Sequence, residues 1–211
     1  MNLIEKIGKW QGSRFPWLLM ALVSVFLVVL AHSLFQKYIH MPPCEQCVYI
    51  RVAFLCMAIG GVLAAIDPKN LILKILGYAF AFLGSIYGII CSVKLAKIHA
   101  AVHSDDPFGV QGCSTEPNHL FGLPFEKWAP DWFLPTGDCG YDNPMVPDGV
   151  ILSSLQNYLV ELYSDGWYLI PSKKFLSMAD CTLLGFGLCA IILALMAIGF
   201  IVTRVKAKKE F

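Results

Sequence analysis

The stretch Pro42-Pro43-Cys44-Glu45-Gln46-Cys47 runs directly into the apolar sequence VYIRVAFLCMAIGGVLAAI at residues 48–66. An apolar run of this length can cross the hydrocarbon core of a bilayer as one helix. The two prolines favour an extended entry just before that helix, so both cysteines fall at its first turn. The positive end of a helix stabilises a thiolate, which allows such a pair to form a reversible disulfide. The stretch therefore predicts redox chemistry at a membrane surface.

Three further apolar stretches in the chain reach membrane-spanning length. The four predicted spans are about 16–35, 48–66, 71–93 and 179–203. The first is too long, and lacks the small-residue cleavage site, for a removable signal peptide, so we expect it to remain as an anchor. Of the 211 residues, 57% are apolar and only 15% are charged. We predict an all-α membrane protein, an antiparallel bundle of four transmembrane helices that forms one domain over residues 1–211.

Lysine and arginine side chains cluster in three segments of the chain. They are Lys6, Lys9 and Arg14 before the first span, Lys69 and Lys74 between the second and third, and Arg204, Lys206, Lys208 and Lys209 after the fourth. The positive-inside rule places these segments and both termini in the cytoplasm. Loops 36–47 and 94–178 then face the opposite side. The formal net charge of only +1 does not favour a nucleic-acid partner.

The eight cysteines divide into two groups. Four fall in or at the end of spans, where small apolar packing residues are expected, and four fall in the outward loops: Cys44, Cys47, Cys113 and Cys139. Disulfides joining Cys44 to Cys47 and Cys113 to Cys139 would carry two electrons from an external dithiol to an acceptor dissolved in lipid. The alternative is a pair of structural disulfides that staple the loops. The chain has no second Cys-x-x-Cys to complete a zinc site, and Val48 replaces the histidine of a haem motif.

Two further residues are candidates for binding the acceptor. Arg51 lies one helical turn after Cys47 on the same face. Its positive charge would stabilise a Cys47 thiolate and an anion formed on the acceptor, whereas the alternative is an arginine that extends to the membrane interface. His99 would lie near the depth of a quinone ring, with an exposed loop histidine as the alternative. We predict no metal site.

The long loop 94–178 contains two kinds of sequence. Residues 104–140 are rich in proline, glycine and aromatic residues and predict an irregular loop tied down by its cysteines. In residues 150–163, apolar side chains recur at helical spacing and predict a short amphipathic helix on the membrane surface: Ile151, Leu155, Tyr158, Leu159 and Leu162. The alternative for this helix is a face that docks a partner.

Two motifs resemble the DsbB-type disulfide-bond-forming proteins of bacterial inner membranes. The first, Cys-x-x-Cys-x-Tyr-x-Arg, is here Cys44, Cys47, Tyr49 and Arg51. The second runs from Leu123-Pro124-Phe125-Glu126-Lys127-Trp128-Ala129-Pro130 to Gly137-Asp138-Cys139. The chain departs from the better-known members at Ile50, where they carry Glu, and in an extra stretch after Cys139. That stretch is similar to the DsbI branch, which serves a dedicated partner called DsbL.

The resemblance implies a quinone-dependent thiol oxidase that reoxidises a periplasmic thioredoxin-fold oxidase, either DsbL-like or DsbA-like. It implies a mixed disulfide between Cys113 and this partner, and a transient disulfide between Cys139 and Cys44. Cys47 would contact ubiquinone or menaquinone, with Arg51 beside it. Two alternatives are a reductase of the vitamin K epoxide reductase type and a non-catalytic membrane adaptor with structural disulfides.

Overall fold

The computed structural model describes residues 3–104 and 113–209, and within them the chain is mostly helical. The helices are α1 Leu3–Trp10, α2 Phe15–Leu30, α3 Glu45–Ile66, α4 Leu71–Val102, α5 Phe125–Trp128, α6 Pro130–Phe133, α7 Ser154–Leu162 and α8 Met178–Lys209. A π-helical segment, Ala31–Tyr38, continues α2. The strands are β1 Tyr168–Ile170 and β2 Phe175–Ser177, and 3₁₀ turns form at Leu120–Gly122 and Pro171–Lys173.

Four helices in the described part of the chain are long and apolar enough to cross a membrane: α2 with its π-helical segment, α3, α4 and α8. The predicted all-α membrane protein with four spanning helices is confirmed. The third helix extends to Val102 and not to 93. Its continuation remains helical because Leu95 is buried while Lys94 and Lys97 are exposed, so one face packs and the other is solvated.

The chain divides into two compact units, and each of the four long helices contributes a part to both. Unit 1 comprises Met1–Leu27, Ala53–Tyr87 and Gly185–Phe211. Unit 2 comprises Val28–Val52 and Gly88–Leu184. The assignment of residues 1–211 to one domain stays a prediction.

Unit 1 is held together by close contacts between its helices. Trp17 of α2 is fully buried and packs edge-to-face on Tyr78 of α4, with ring centroids 4.8 Å apart. The backbones of α3 and α4 approach closely, since a Cβ added at Gly60 would lie 2.6 Å from the carbonyl oxygen of Gly77. Large apolar side chains such as Leu22, which is 68% exposed, cover the outside of the bundle, as expected for a lipid-facing surface.

A tight turn joins α3 to α4, as the sequence Asp67-Pro68-Lys69-Asn70 predicts. The Asp67 side chain accepts a hydrogen bond of 3.0 Å from the backbone N–H of Lys69. The Asn70 side chain accepts one of 3.0 Å from the N–H of Ile72 and so caps the start of α4. The short connection makes the two helices antiparallel neighbours.

Unit 2 contains the loop between α2 and α3 and the long loop between α4 and α8. The predicted irregular region 104–140 includes α5 and α6, and its residues 105–112 lie outside the described part of the chain. A short helix, α7, forms within the residues predicted to be an amphipathic helix and begins after a capping box of Ser153 and Gln156, so Ile151 lies outside it. The sequence did not predict the antiparallel hairpin of β1 and β2, which pairs Tyr168 with Ser177 immediately before α8.

Candidate active site

The first disulfide joins Cys44 to Cys47 at the start of α3, with their Cα atoms 5.0 Å apart. Cys44 is almost completely buried, whereas Cys47 is half-buried. The backbone N–H of Cys47 points at the sulfur of Cys44, 3.2 Å away. An N–H in the first helical turn directed at a sulfur would stabilise negative charge there when the disulfide opens.

The second disulfide joins Cys113 to Cys139, with their Cα atoms 5.7 Å apart. Cys139 is buried, and Cys113 is half-buried. Cys113 is therefore the more accessible of the two sulfurs to a thiol from outside. The structure brings both cysteine pairs into unit 2.

The segment before Cys139 is docked on the proline pair that precedes Cys44. The N–H groups of Thr136 and Gly137 both donate to the carbonyl oxygen of Pro43, over 2.9 and 3.1 Å. A Cβ added at Gly137 would lie only 2.6 Å from the carbonyl oxygen of Pro42, so this contact requires glycine. The docking holds the segment of Cys139 against the residues that lead into Cys44.

The extra stretch after Cys139 is attached to the same short loop. The N–H of Met145 donates to the carbonyl oxygen of His40 over 2.7 Å. The side-chain amide of Gln156, in α7, donates to the carbonyl oxygen of Tyr38 over 3.2 Å. Backbone carbonyls of the loop between α2 and α3 thus hold separate parts of the long loop.

The residues that follow Cys113 are tied to the first turns of α3. The carboxylate of Glu45 accepts hydrogen bonds from the N–H of Ser114 and the hydroxyl of Tyr49, over 3.0 and 2.8 Å. The Tyr49 hydroxyl in turn accepts from the N–H of Asn118 over 2.7 Å. Tyr49, which the sequence motif includes, therefore positions the loop that carries Cys113.

Arg51 is 5% exposed, and its guanidinium is directed into unit 2. It donates to the side-chain oxygen of Gln36 over 2.8 Å and to the backbone carbonyl of Trp132 over 2.7 Å. A longer contact of 3.5 Å reaches the carbonyl of Ala31. An arginine buried among acceptors is a structural anchor as well as a charge one turn from Cys47.

Asp131 and the π-helical segment hold Trp132 in place beside Arg51. The ring of His32 stacks on that of Trp132, with centroids 3.8 Å apart, and its Nε2 lies 3.3 Å from the Asp131 carboxylate. Asp131 also forms an ion pair with Lys37, whose hydrogen bond lowers the pKa of that exposed carboxyl. A π-helical turn is rare and is often found at functional sites. Here it carries His32, which stacks on Trp132, and Gln36 and Lys37, which both bond to Asp131.

His99 lies on α4 and not in the loop, which the sequence had left as the alternative. Its Cα is 3.4 Å from the position that a Cβ would take on Gly140, the residue after Cys139. Its ring stacks on His103 and meets Tyr168 edge-on. His99 is thus next to the cysteine segment, and its role in binding an acceptor stays a prediction.

Asp142, which no sequence motif singles out, lies close to the first disulfide. A carboxylate oxygen of Asp142 and the sulfurs of Cys44 and Cys47 all lie within 4.8 Å of one another. Asp142 is 8% exposed, and this burial raises the pKa of its carboxyl to about 6. Although the spacing of the three groups would suit a metal ion, the two sulfurs are bonded to each other and are not thiolate ligands.

Several residues of this site carry weak sequence signals. The i, i+4 spacing of His32 and Gln36 places both on one face of a helix, which could have suggested a shared contact. In the sequence, Asp131 and Asp142 look like ordinary loop aspartates, because the residues they contact lie far away along the chain: His32 for Asp131, and Cys44 and Cys47 for Asp142.

Comparison with known proteins agrees with this arrangement. The model of the family described as Disulfide bond formation protein DsbB matches residues 13–196. A protein-disulfide oxidoreductase DsbI from Salmonella typhimurium is 57% identical over 199 residues, covering 92% of this chain and 88% of the relative. A protein of the same name from Escherichia coli O1:K1 is 55% identical over 199 residues, covering 92% and 89%. The chain therefore belongs to the DsbB family as a multi-pass membrane protein-disulfide oxidoreductase, and it is similar along most of its length to the members named DsbI.

Proposed function

We propose that the chain reoxidises a periplasmic thioredoxin-fold dithiol oxidase, DsbL-like or DsbA-like, and passes the electrons to a quinone in the bacterial inner membrane. The redox cysteines face the periplasm in this proposal, and both termini lie in the cytoplasm. The positive-inside distribution of lysine and arginine supports this orientation.

One observation carries the proposal. Cys139 lies between two contacts with the segment of the other cysteine pair: Gly137 before it is hydrogen-bonded to Pro43, and Asp142 after it lies within 4.8 Å of the sulfurs of Cys44 and Cys47. A disulfide that only stapled the loop would not need to be bracketed in this way. The arrangement supports direct exchange between the two pairs.

The proposed route of electrons follows the exposure of the sulfurs. A thiolate of the reduced partner attacks Cys113, forms a mixed disulfide with it, and releases Cys139 as a thiolate. Cys139 then attacks Cys44, so that a Cys44–Cys139 bond forms and Cys47 is released as a thiolate. The second partner thiolate attacks the mixed disulfide at the partner sulfur, which frees Cys113 and leaves the partner oxidised. Cys113 then attacks Cys139 in the Cys44–Cys139 bond, which restores the loop disulfide and leaves the Cys44–Cys47 pair reduced.

The residues near Cys47 fit a quinone head group. Cys47 is half-buried at the end of a membrane helix, where a ring dissolved in lipid can reach it. Arg51 has five N–H groups, and the structure shows three contacts from its guanidinium to acceptors of the described residues, which leaves capacity for a quinone carbonyl. When bound, a quinone would accept two electrons and two protons. Arg51 would orient its carbonyl and stabilise developing negative charge.

The proposal is tested by mixing the purified full-length protein in detergent with a reduced thioredoxin-fold dithiol protein and a short-chain ubiquinone analogue. The expected result is stoichiometric oxidation of the dithiol with reduction of the quinone, lost in both Cys44→Ser and Cys113→Ser. Cys189→Ser is the matched control, because Cys189 is a free thiol within α8. An inactive wild type would instead favour an adaptor with structural disulfides, and net transfer of electrons from quinol to the disulfide protein would favour a reductase.

A further inference from the structure

We propose that Asp142 exchanges a proton with the Cys44–Cys47 pair when this disulfide opens and closes. The inference rests on the proposed function in taking that pair to be redox-active. It adds a proton-transfer residue to the site, supplied by the segment that follows Cys139.

The geometry places the carboxylate where such a proton is needed. An oxygen of Asp142 is within 4.8 Å of both sulfurs of the pair. Over this distance a side-chain rotation or one bridging water is sufficient to bring a carboxyl oxygen into hydrogen-bond reach of a thiol. The segment is held close by the hydrogen bonds of Gly137 to Pro43 on one side and of Met145 to His40 on the other.

One oxygen of the Asp142 carboxyl lacks a partner in the described part of the chain while the disulfide is closed. Its Oδ2 is buried and has no hydrogen-bond partner among the described residues. A buried carboxylate without a partner is costly, and an orphaned polar atom of this kind calls for an explanation. A neighbouring pair of sulfurs that alternates between disulfide and thiols supplies one, since each thiol can donate to the carboxylate.

The proposed step balances without any further reagent. A thiolate attacks Cys44, a new disulfide forms with Cys44, and the Cys44–Cys47 bond breaks with its electron pair on Cys47. The protonated carboxyl of Asp142 gives its proton to the Cys47 thiolate and becomes a carboxylate. In the reverse direction the carboxylate removes the proton from the Cys47 thiol, and the resulting thiolate closes the disulfide and expels the attacking thiolate.

The groups that face Asp142 make this transfer possible near neutral pH. Burial raises the pKa of its carboxyl to about 6, and the charge of His103, beyond the end of α4, opposes this rise. The ring of His103 is stacked on that of His99. Cys44 and Cys47 lie beside it and become titratable once their disulfide opens. A carboxyl that titrates between the usual values for aspartate and cysteine is suited to both giving and taking the proton.

The test follows the opening of this disulfide by dithiothreitol, and its closure by oxidised dithiothreitol, across the pH range from 5 to 8. The full-length protein carries Cys113→Ser and Cys139→Ser, so that only the Cys44–Cys47 pair reacts. Opening rates are divided by the thiolate fraction of dithiothreitol. The variants compared are Asp142→Asn, Asp142→Glu and, as the matched control, Asp148→Asn, which removes an exposed carboxylate of the same loop.

With Asp142 intact, the corrected opening rate should fall, and the closing rate should rise, as the pH increases through about 6. Asp142→Asn should abolish both inflections and slow closure at pH 7 by about tenfold or more. Asp142→Glu should retain the inflections, which a purely structural role of the side chain would not require. The proposal is overturned if the protein with Asp142 shows no inflection, if Asp142→Asn keeps it, or if Asp148→Asn removes it as well.

This assay contains neither quinone nor a partner protein. A protein that fails to reduce quinone would therefore refute the proposed function while still reporting on Asp142. A flat pH profile in a protein that does reduce quinone would refute only the role of Asp142. If Asp142→Asn does not fold, the profile of the protein with Asp142 intact and that of Asp142→Glu decide the question.

Discussion

Replacing Asp142 by asparagine removes a buried charge while nearly preserving the size of the side chain. Burial raises the pKa of this carboxyl from its ordinary value of 3.8 to about 6. Because the folded pKa lies above the unfolded one, the carboxyl makes its full contribution to stability below about pH 3.8 and loses it as the pH rises through about 6. A rise of this size corresponds to roughly 3 kcal/mol of lost folding free energy at higher pH. Asparagine does not titrate and should show no such loss.

The measurement is the free energy of unfolding of the oxidised wild type and of Asp142→Asn at about pH 4 and pH 8. Relative to wild type, the variant should gain roughly 2.5 kcal/mol between these two conditions, because the unfolded carboxyl is already partly ionised at pH 4, or several degrees in the melting temperature. Asp148→Asn, on the exposed part of the same loop, should show no comparable gain. A difference between variant and wild type that does not change with pH would mean that the Asp142 carboxylate is compensated in the folded protein, and would refute the reasoning.

Three further substitutions test the contacts that assemble the site. Gly137→Ala should displace the segment of Cys139, because the added Cβ would meet a carbonyl oxygen at 2.6 Å. We expect the free energy of unfolding to fall by about 1–3 kcal/mol. Exchange between the two disulfides should slow by about tenfold or more. Tyr49→Phe should release the loop of Cys113 at a cost of about 1 kcal/mol, seen as faster limited proteolysis there. Arg51→Ala should slow reduction of the quinone analogue by about 100-fold while sparing formation of the mixed disulfide through Cys113.

Each substitution has a matched control in the chain. A Cβ at Gly185 meets no described atom within 4 Å, so Gly185→Ala should leave exchange unchanged, and equal slowing in both variants would contradict the docking argument. Tyr158 is exposed, so Tyr158→Phe should not alter proteolysis of the Cys113 loop. If Tyr49→Phe also leaves proteolysis unchanged, the hydrogen bonds of Tyr49 do not hold this loop. Arg14→Ala removes an exposed arginine that reaches Ile66. If Arg51→Ala behaves like Arg14→Ala, Arg51 serves only to anchor Gln36 and Trp132 and has no part in quinone reduction.

The spanning helices were predictable because lipid requires long apolar segments with internally satisfied backbones. The end of α4 was not, since beyond residue 93 the helix buries one face and exposes Lys94 and Lys97 to solvent. This part of α4 alternates polar and apolar residues, whereas membrane spans are recognised in a sequence by a continuous apolar run. The same limit applies to the hairpin of β1 and β2, whose strands have three residues each.

Cys44, Cys47 and Arg51 could be selected from the sequence because their spacing at the start of α3 is local. The contacts of Arg51 could not, as its partners Gln36 and Trp132 lie 15 and 81 residues away in the chain. Asp142 was missed for a similar reason: its proximity to the sulfurs depends on how the loop after Cys139 returns to the start of α3. Tertiary contacts of this kind leave no periodic pattern in the sequence.

The loop between α2 and α3 receives the long loop through main-chain oxygens of Tyr38, His40 and Pro43. Every residue type supplies the same carbonyl, so a mutational library could diversify the side chain at Tyr38 without losing its anchoring point. His40 has a φ of 59°, so its replacements must accept a left-handed backbone, as glycine and asparagine do. The donors are less tolerant: proline at Thr136 or Met145 would delete the amide hydrogen on which the anchoring depends. Engineers who wish to retarget the exchange surface to another protein could therefore vary Tyr38 and, within the limits of its backbone, His40, provided that the amides that bond to this loop are kept.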